Sequence, residues 1–254
     1  MTKSLFLVAL LLGSAVAPTA GAAPSVPNAM VAVDANAVLA EIDRRADPFK
    51  DQSYTASMEI IKGGQLKKTL TFNATMKGLT KQLLVFTAPG DVSGMKVLLD
   101  GNSIETYLPE FKKVRKIALH AAAQGFLGST FYFEDMVEAK LSPHYNAEFG
   151  AKSGDITTLV LKPKNAESRY SKVECDIDKS KGGVTQLRYY DGSGNLARQQ
   201  SRSEWVKIEG HLIPTEISML DIKTGDVSVI RLSDMAVNQG VDASVFTRRE
   251  LLRG

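Results

Sequence analysis

SYTASMEIIKGGQLKKTLTFNATMK, residues 53–77, decides the fold. Tyr54, Ala56, Met58 and Ile60 alternate with Ser53, Thr55, Ser57 and Glu59. Gly63-Gly64 then reverse the chain, and Leu70, Phe72, Ala74 and Met76 alternate with Lys67, Thr69, Thr71 and Asn73. A repeat of two on both sides of a Gly-Gly pair predicts two strands joined by a tight hairpin.

Outward from this hairpin the same signal recurs. Strands are predicted at 82–87, 95–100, 103–108, 112–117, 157–162, 172–178, 185–190, 196–208, 212–220 and 227–235. Asp100-Gly101-Asn102, Gly182-Gly183, the run 191–195, Glu209-Gly210 and Thr224-Gly225-Asp226 separate several of them, all residues that turn a chain at little cost. Such short connections require antiparallel neighbours. One convincing helix precedes the hairpin: Asp34 is a cap, Ala35, Val38, Leu39, Ile42 and Ala46 recur at helical spacing, and Pro48 marks the stop. A second helical segment is expected within 118–139, from Ala121-Ala122-Ala123 and the spacing of Phe133, Met136 and Val137. A dozen antiparallel strands would leave an apolar face wet unless the sheet curls and is covered. The expected fold is therefore mainly β (α+β), a large curved antiparallel sheet around an interior covered by a few helices, and such an interior is either filled by side chains or holds a ligand.

The N-terminus reads as an address. Lys3 is followed by the apolar run 5–12 and a small-residue stretch, and Ala20-Gly21-Ala22 has the small-x-small form of a cleavage site. The expectation is a signal peptide over 1–22, cut after Ala22, then a flexible lead over 23–33 and a single domain over 34–254. The apolar run is well short of the roughly 20 residues that cross a bilayer. The one cysteine, Cys175, stands far from the cleavage point, so no lipid anchor is expected; with Val173 and Ile177 at spacing two it reads as a buried structural thiol. Loss of Lys3 with the leader lowers the net charge from +3 to +2, which does not suit a phosphate backbone, so no nucleic-acid partner is expected.

Motifs for catalysis are missing. His120, His144 and His211 are widely separated, without the His-Glu-x-x-His or paired Cys/His spacing of a zinc site. There is no Gly-x-Ser-x-Gly elbow and no phosphate-binding loop. No metal, cofactor or enzymatic activity is expected, and Glu134-Asp135 is read as a solvated helix start because adjacent helical carboxylates diverge. The basic run Lys112, Lys113, Arg115 and Lys116 fits either anionic headgroups or an acidic partner, or an edge strand kept soluble by its charges. Phe126, Phe131, Tyr132 and Phe133, with Gly125 and Gly128, form either a flap over the interior or ordinary core.

Several phrases in order resemble the periplasmic outer-membrane lipoprotein-sorting family, the LolA-like proteins: Tyr107-Leu108-Pro109, the basic run ending in Ile117, Phe126-Leu127-Gly128-Ser129 with Phe131 and Phe133-Glu134-Asp135, Tyr170-Ser171-Lys172 with Ile177-Asp178-Lys179, Tyr189-Tyr190-Asp191, Gly210 with Pro214-Thr215, Thr224-Gly225 and Phe246-Thr247. The resemblance runs from about Asp34 to the C-terminus and is nearest to general relatives of the sorting proteins. Where that family has a polar Ser-rich loop after the basic run, this chain has the more apolar segment 118–124.

The resemblance implies a half-open antiparallel barrel with helices at its mouth, a monomer that binds lipid or lipoprotein acyl chains and ferries them across the periplasm between an inner-membrane transporter and an outer-membrane acceptor. A sensor of envelope lipid or lipoprotein, or a transporter-associated interaction module, with the same fold is the alternative. Apolar facing nominates Phe72, Met76, Leu84, Phe86, Val97, Leu99, Phe126, Phe131 and Phe133 as cavity or lid residues, with Lys112, Lys113, Arg115 and Lys116 as partner or headgroup contacts.

Overall fold

Among the described residues, thirteen antiparallel strands form one sheet that does not close into a barrel. The computed structural model describes residues 33–117 and 125–253; the signal peptide, nearly all of the flexible lead and Ala121-Ala122-Ala123 lie outside them. Helix α1 (Ala35–Ala46) is followed by β1 (Gln52–Lys62), β2 (Gln65–Met76), β3 (Lys81–Ala88), β4 (Lys96–Asp100), β5 (Ser103–Leu108) and β6 (Lys113–Ile117). A short helix α2 (Phe133–Val137) leads to β7 (Tyr145–Ser153), β8 (Ile156–Pro163), β9 (Tyr170–Asp178), β10 (Gly183–Asp191), β11 (Leu196–Ile208), β12 (His211–Asp221) and β13 (Val227–Val237), and the chain ends in α3 (Arg248–Leu252). The spatial order is β6-β5-β4-β3-β2-β1-β13-β12-β11-β10-β9-β8-β7. Two meanders, β1–β6 and β7–β13, are thus joined where β1 pairs with β13, Met58 facing Ile230.

The hairpin at residues 53–77 forms as its spacing predicts. Lys62 faces Gln65, so Gly63 and Gly64 are the two loop residues, with φ of 56° and 73°. Two consecutive left-handed residues give a turn whose twist matches the strands, a conformation costly for side chains other than Gly and Asn. Met58, Leu70, Phe72 and Ala74 all face the core. Helix α1 also begins at its predicted cap: the Asp34 Oδ1 accepts the Asn36 N–H at 3.0 Å. Its apolar stripe buries Ala35, Leu39 and Ile42 against the concave face, and α1 packs on β7 and β10. Asn36 and Asp43 anchor it further, by accepting the N–H groups of Ala147, and of Leu141 and Ser142.

Three differences from the sequence reading have physical causes. Strand β7 was not expected, because YNAEFGAKS has no sustained alternation and is mostly exposed at the edge of the sheet. The second helix is far shorter than 118–139 and, in the described part, is confined to Phe133–Val137. Before it, Gly125 pairs with Tyr132 as an isolated bridge, Leu127 and Gly128 are left-handed at 51° and 83°, and a Cβ on Gly125 would meet the Ser129 carbonyl oxygen at 2.5 Å. A tight glycine-dependent turn has replaced helix there. Finally, the C-terminal segment covers the convex face: Phe246 and Leu251 form a second small core with Leu83 and Leu98. Strands β3 and β4 are consequently buried on both sides.

Strands β6 and β7, consecutive in sequence, are the two opposite edges of the sheet. The described part of the chain between them, 125–144, crosses the concave face. Thr130 binds the central strands there, its N–H donating to Ser228 Oγ at 3.0 Å and its hydroxyl to the Met219 carbonyl at 2.7 Å.

Candidate ligand cavity

Beneath this crossing segment lies a cavity of about 300 Å³. Strands β1 and β2 contribute Tyr54, Met58, Phe72 and Met76, and β3 contributes Gln82 and Leu84. The other wall comes from β11 to β13, through Gln200, Arg202, Trp205, Ile217, Ile230, Leu232 and Met235. Ile42, Arg45 and Ala46 of α1 form a rim; Phe126, Phe131, Tyr132, Asp135 and Met136 form the cover.

The strands aim these side chains by two different devices. Regular alternation presents Phe72 with Met76, and Gln200 with Arg202, to the concave face. Arg202 and Trp205 are three apart, as are Leu232 and Met235, and regular strands would send the members of each pair to opposite faces. Between them stand Glu204 and Asp234, each with φ of 52°. Asp234 lies at a register shift between β13 and β1, a bulge, whereas the β11–β12 register is kept through Glu204; in both places the left-handed residue turns the side chain that follows it, Trp205 or Met235, inward.

The cover is pinned to the sheet through Arg198 of β11. Its Nη2 donates to Asp135 Oδ2 at 2.6 Å and to the Thr130 carbonyl at 2.8 Å; its Nη1 donates to Asp135 Oδ1 at 3.1 Å and to the Tyr170 hydroxyl at 2.7 Å. The guanidinium carbon is 3.8 Å from the centre of the Tyr132 ring, and Arg169 lies over the same ring at 4.8 Å. Burial works against the Arg198 charge, yet Asp135 outweighs it and holds the group above its ordinary pKa. Asp135 also accepts the Tyr132 N–H at 2.7 Å and so caps α2. Glu134 and Asp135 are therefore not a solvated helix start. Both are partly buried and ion-paired, Glu134 with Arg169 and Asp135 with Arg198. Burial, then neighbouring Glu138, raises the pKa of Glu134.

Of the residues nominated from sequence, Phe72, Met76, Leu84, Phe126 and Phe131 line the cavity. Phe86, Val97 and Leu99 lie in the packed core instead. Phe133 packs edge-on against Phe126, ring centres 4.8 Å apart, and backs the cover without lining the cavity. Phe86 joins Phe72 to Phe126, at 5.1 and 5.8 Å, so wall and cover share one aromatic cluster. Lys112, Lys113, Arg115 and Lys116 are exposed; the last three belong to the edge strand β6, while Lys112 is the left-handed residue before it. None of the four lines the cavity. Cys175 is buried within β9, and burial pushes its thiol pKa up to about 12. Among the described residues no group of three or more His, Cys, Asp or Glu side chains could hold a metal, and no helix is long and apolar enough to cross a membrane.

An unclosed curved antiparallel sheet whose concave face holds a covered apolar cavity is the LolA-like fold, and solved structures agree. A DUF1329 family protein from Desulfovibrio piger is 24% identical with a TM-score of 0.79, over 85% of this chain and 97% of that one. A domain described as an outer membrane lipoprotein-sorting protein domain, from Vibrio parahaemolyticus, is 20% identical with a TM-score of 0.77, over 86% and 98%. A LolA superfamily protein from Nitrosomonas europaea is 21% identical with a TM-score of 0.72, over 86% and 100%. No curated protein matches the sequence. The family whose profile matches residues 78–253 is described as an uncharacterized protein, and this chain belongs to that family.

Proposed function

We propose that this protein is a periplasmic carrier that takes an acyl chain of a lipid or lipoprotein into its cavity and shuttles it between envelope membranes. The observation that carries this reading is the covered apolar cavity between the concave face of an open sheet and a hydrogen-bonded cover. A sixteen-carbon chain exposed to water costs on the order of 13 kcal/mol, at roughly 0.8 kcal/mol per methylene, so it does not cross an aqueous gap unshielded. Burial in a concavity meets that need without catalysis. At about 300 Å³ the cavity is at the lower end of the range for small-molecule pockets. With the cover in this position it suits one slender chain, and a bulkier cargo requires the cover to lift.

The remaining assignments belong to the same reading. The signal peptide is removed near Ala22, and the mature protein is an unanchored monomer. It receives cargo from an inner-membrane transporter and delivers it to an outer-membrane acceptor. Phe72, Met76, Leu84, Phe126 and Phe131 contact the chain, with Phe86, Val97, Leu99 and Phe133 shaping the walls behind them. Lys112, Lys113, Arg115 and Lys116 meet anionic headgroups or an acidic partner.

The test is extraction of the protein, purified from its native cells, followed by mass spectrometry. Co-purifying lipid, with uptake of a fluorescent fatty acid, is the expected result; protein repeatedly free of lipid that also takes up none sinks the proposal. Transfer between two vesicle populations then separates a carrier from a sensor, which binds and does not deliver.

A further inference from the structure

Among the described residues three charged side chains line the cavity: Arg45, Asp135 and Arg202. Two of them have an ion-pair partner within the protein: Asp135 is paired with Arg198 at 2.6 Å, and Arg45 shares the Glu41 carboxylate with Arg44, at 2.7 and 2.6 Å. Arg202 is different. Its Nε donates to Gln200 Oε1 at 2.9 Å, and it forms no ion pair among the described residues. Asp43, the carboxylate whose charge reaches it, is taken up by the N–H groups of Leu141 and Ser142, at 2.9 and 2.7 Å. Arg202 is half-buried, and the desolvation of its guanidinium lowers its pKa.

Arg198 stands four residues earlier on the same face of β11 and satisfies a carboxylate, a hydroxyl and a carbonyl. The contrast shows what Arg202 lacks. A cation in apolar surroundings is normally paired, and a guanidinium whose Nε is fixed by Gln200 presents Nη1 and Nη2 as a fork suited to a carboxylate or phosphate. What lies beside it has the opposite character. Arg202 faces Ile217, Ile217 faces Ile230, and Ile230 faces Met58 across four adjacent strands, and all four line the cavity. With strands about 4.8 Å apart this row is roughly 14 Å long, charged at one end and apolar along the rest.

We infer that the cavity takes an amphiphile with an acyl tail and an anionic end group, the anion paired with Arg202 and the tail laid along Ile217, Ile230 and Met58. This names the ligand class for the carrier reading above and rests on it.

The experiment compares palmitoyl-chain ligands below their micelle concentrations: palmitate, palmitoyl lysophosphatidate, neutral monopalmitoylglycerol and the cation hexadecyltrimethylammonium. Each is titrated against the mature protein in competition with a fluorescent fatty acid. An anion should bind at least about tenfold tighter than the neutral ligand, the scale of a hydrogen-bonded charge, and the cation weakest. Which of the two anions is preferred identifies a fatty acid or a phospholipid as the source. In Arg202→Gln the ratio between anion and neutral ligand should fall to about one, and in Arg202→Lys it should persist. Equal binding of anionic and neutral ligands by the unmodified protein, or a preference that survives in Arg202→Gln, overturns the inference while leaving the carrier reading intact. If no ligand binds, the carrier reading fails and takes the inference with it. Should Arg202→Gln not fold, the unmodified protein and Arg202→Lys still decide.

Discussion

Arg198 grips Asp135 at two points, Nη2 to Oδ2 at 2.6 Å and Nη1 to Oδ1 at 3.1 Å, with the arginine side chain only 3% exposed. The pair joins the helix over the cavity to the sheet beneath it. Replacing one partner leaves the other buried and uncompensated. Arg198→Met should therefore cost about 3–5 kcal/mol, and the double variant Arg198→Met/Asp135→Leu appreciably less than the sum of the two single changes. Urea unfolding of the four proteins measures this directly; additive losses would mean that the pair does not hold the cover.

Trp205 is the chain's single tryptophan and lies in the cavity wall. A fatty acid brominated along its chain should quench its fluorescence at saturation, whereas free bromide at the same concentration should not. Unquenched emission with ligand demonstrably bound would place the tail elsewhere.

Glu204 and Asp234 hold left-handed backbone at φ of 52°, where a side chain is costly and glycine is not. Glu204→Gly should raise stability by about 1 kcal/mol, and Glu204→Val should lower it by at least as much, because branching at Cβ worsens the clash. Thermal midpoints of the two variants should move in opposite directions.

Burial raises the pKa of Cys175 to about 12, and those of Tyr54 and Tyr170 also to about 12. In the unfolded chain a thiol titrates near 8.5 and a tyrosine near 10. The unfolded state thus releases protons first, so stability is fully present below about pH 8.5 and falls as pH rises towards 12. Urea midpoints between pH 8 and pH 11 should decline, and Cys175→Ala should flatten the early part of that decline. Native Cys175 should also resist thiol reagents until the protein unfolds.

Much of the fold could be read because its elements follow one rule each. Asp34 caps a helix with a single apolar stripe, and the strands on either side of Gly63-Gly64 alternate regularly apart from one register shift at Ile60/Ile61. Strand β7 was not legible, because its exposed edge position imposes no alternation on YNAEFGAKS. The second helix is shorter than its spacing suggests, because Gly125 and Gly128 act through a turn that helical spacing does not register. In the cavity, Phe72, Met76 and Leu84 were legible as the apolar face of regular strands. Trp205 and Met235 were not, since the left-handed Glu204 and Asp234 reverse the parity by which facing is counted. Arg202 has the opposite difficulty: its alternation is regular, but only three-dimensional packing shows which arginine of β11 has its carboxylate and which does not.

The order of strands has a mechanical side. Each meander is held by pairing between neighbours in sequence, whereas Gln52 meets Val237 from the far end of the chain, and the Asn238 N–H donates to the Asp51 carbonyl at 2.8 Å. A covalent bond placed there and a cut between Ile117 and Gly125 would turn the protein into one uninterrupted zigzag of thirteen strands. The natural chain instead carries the described part of the connection between the halves, 125–144, across the concave face. Any force that spreads the halves is therefore transmitted to the segment that covers the cavity, and the position of that cover is coupled to the curvature of the whole sheet.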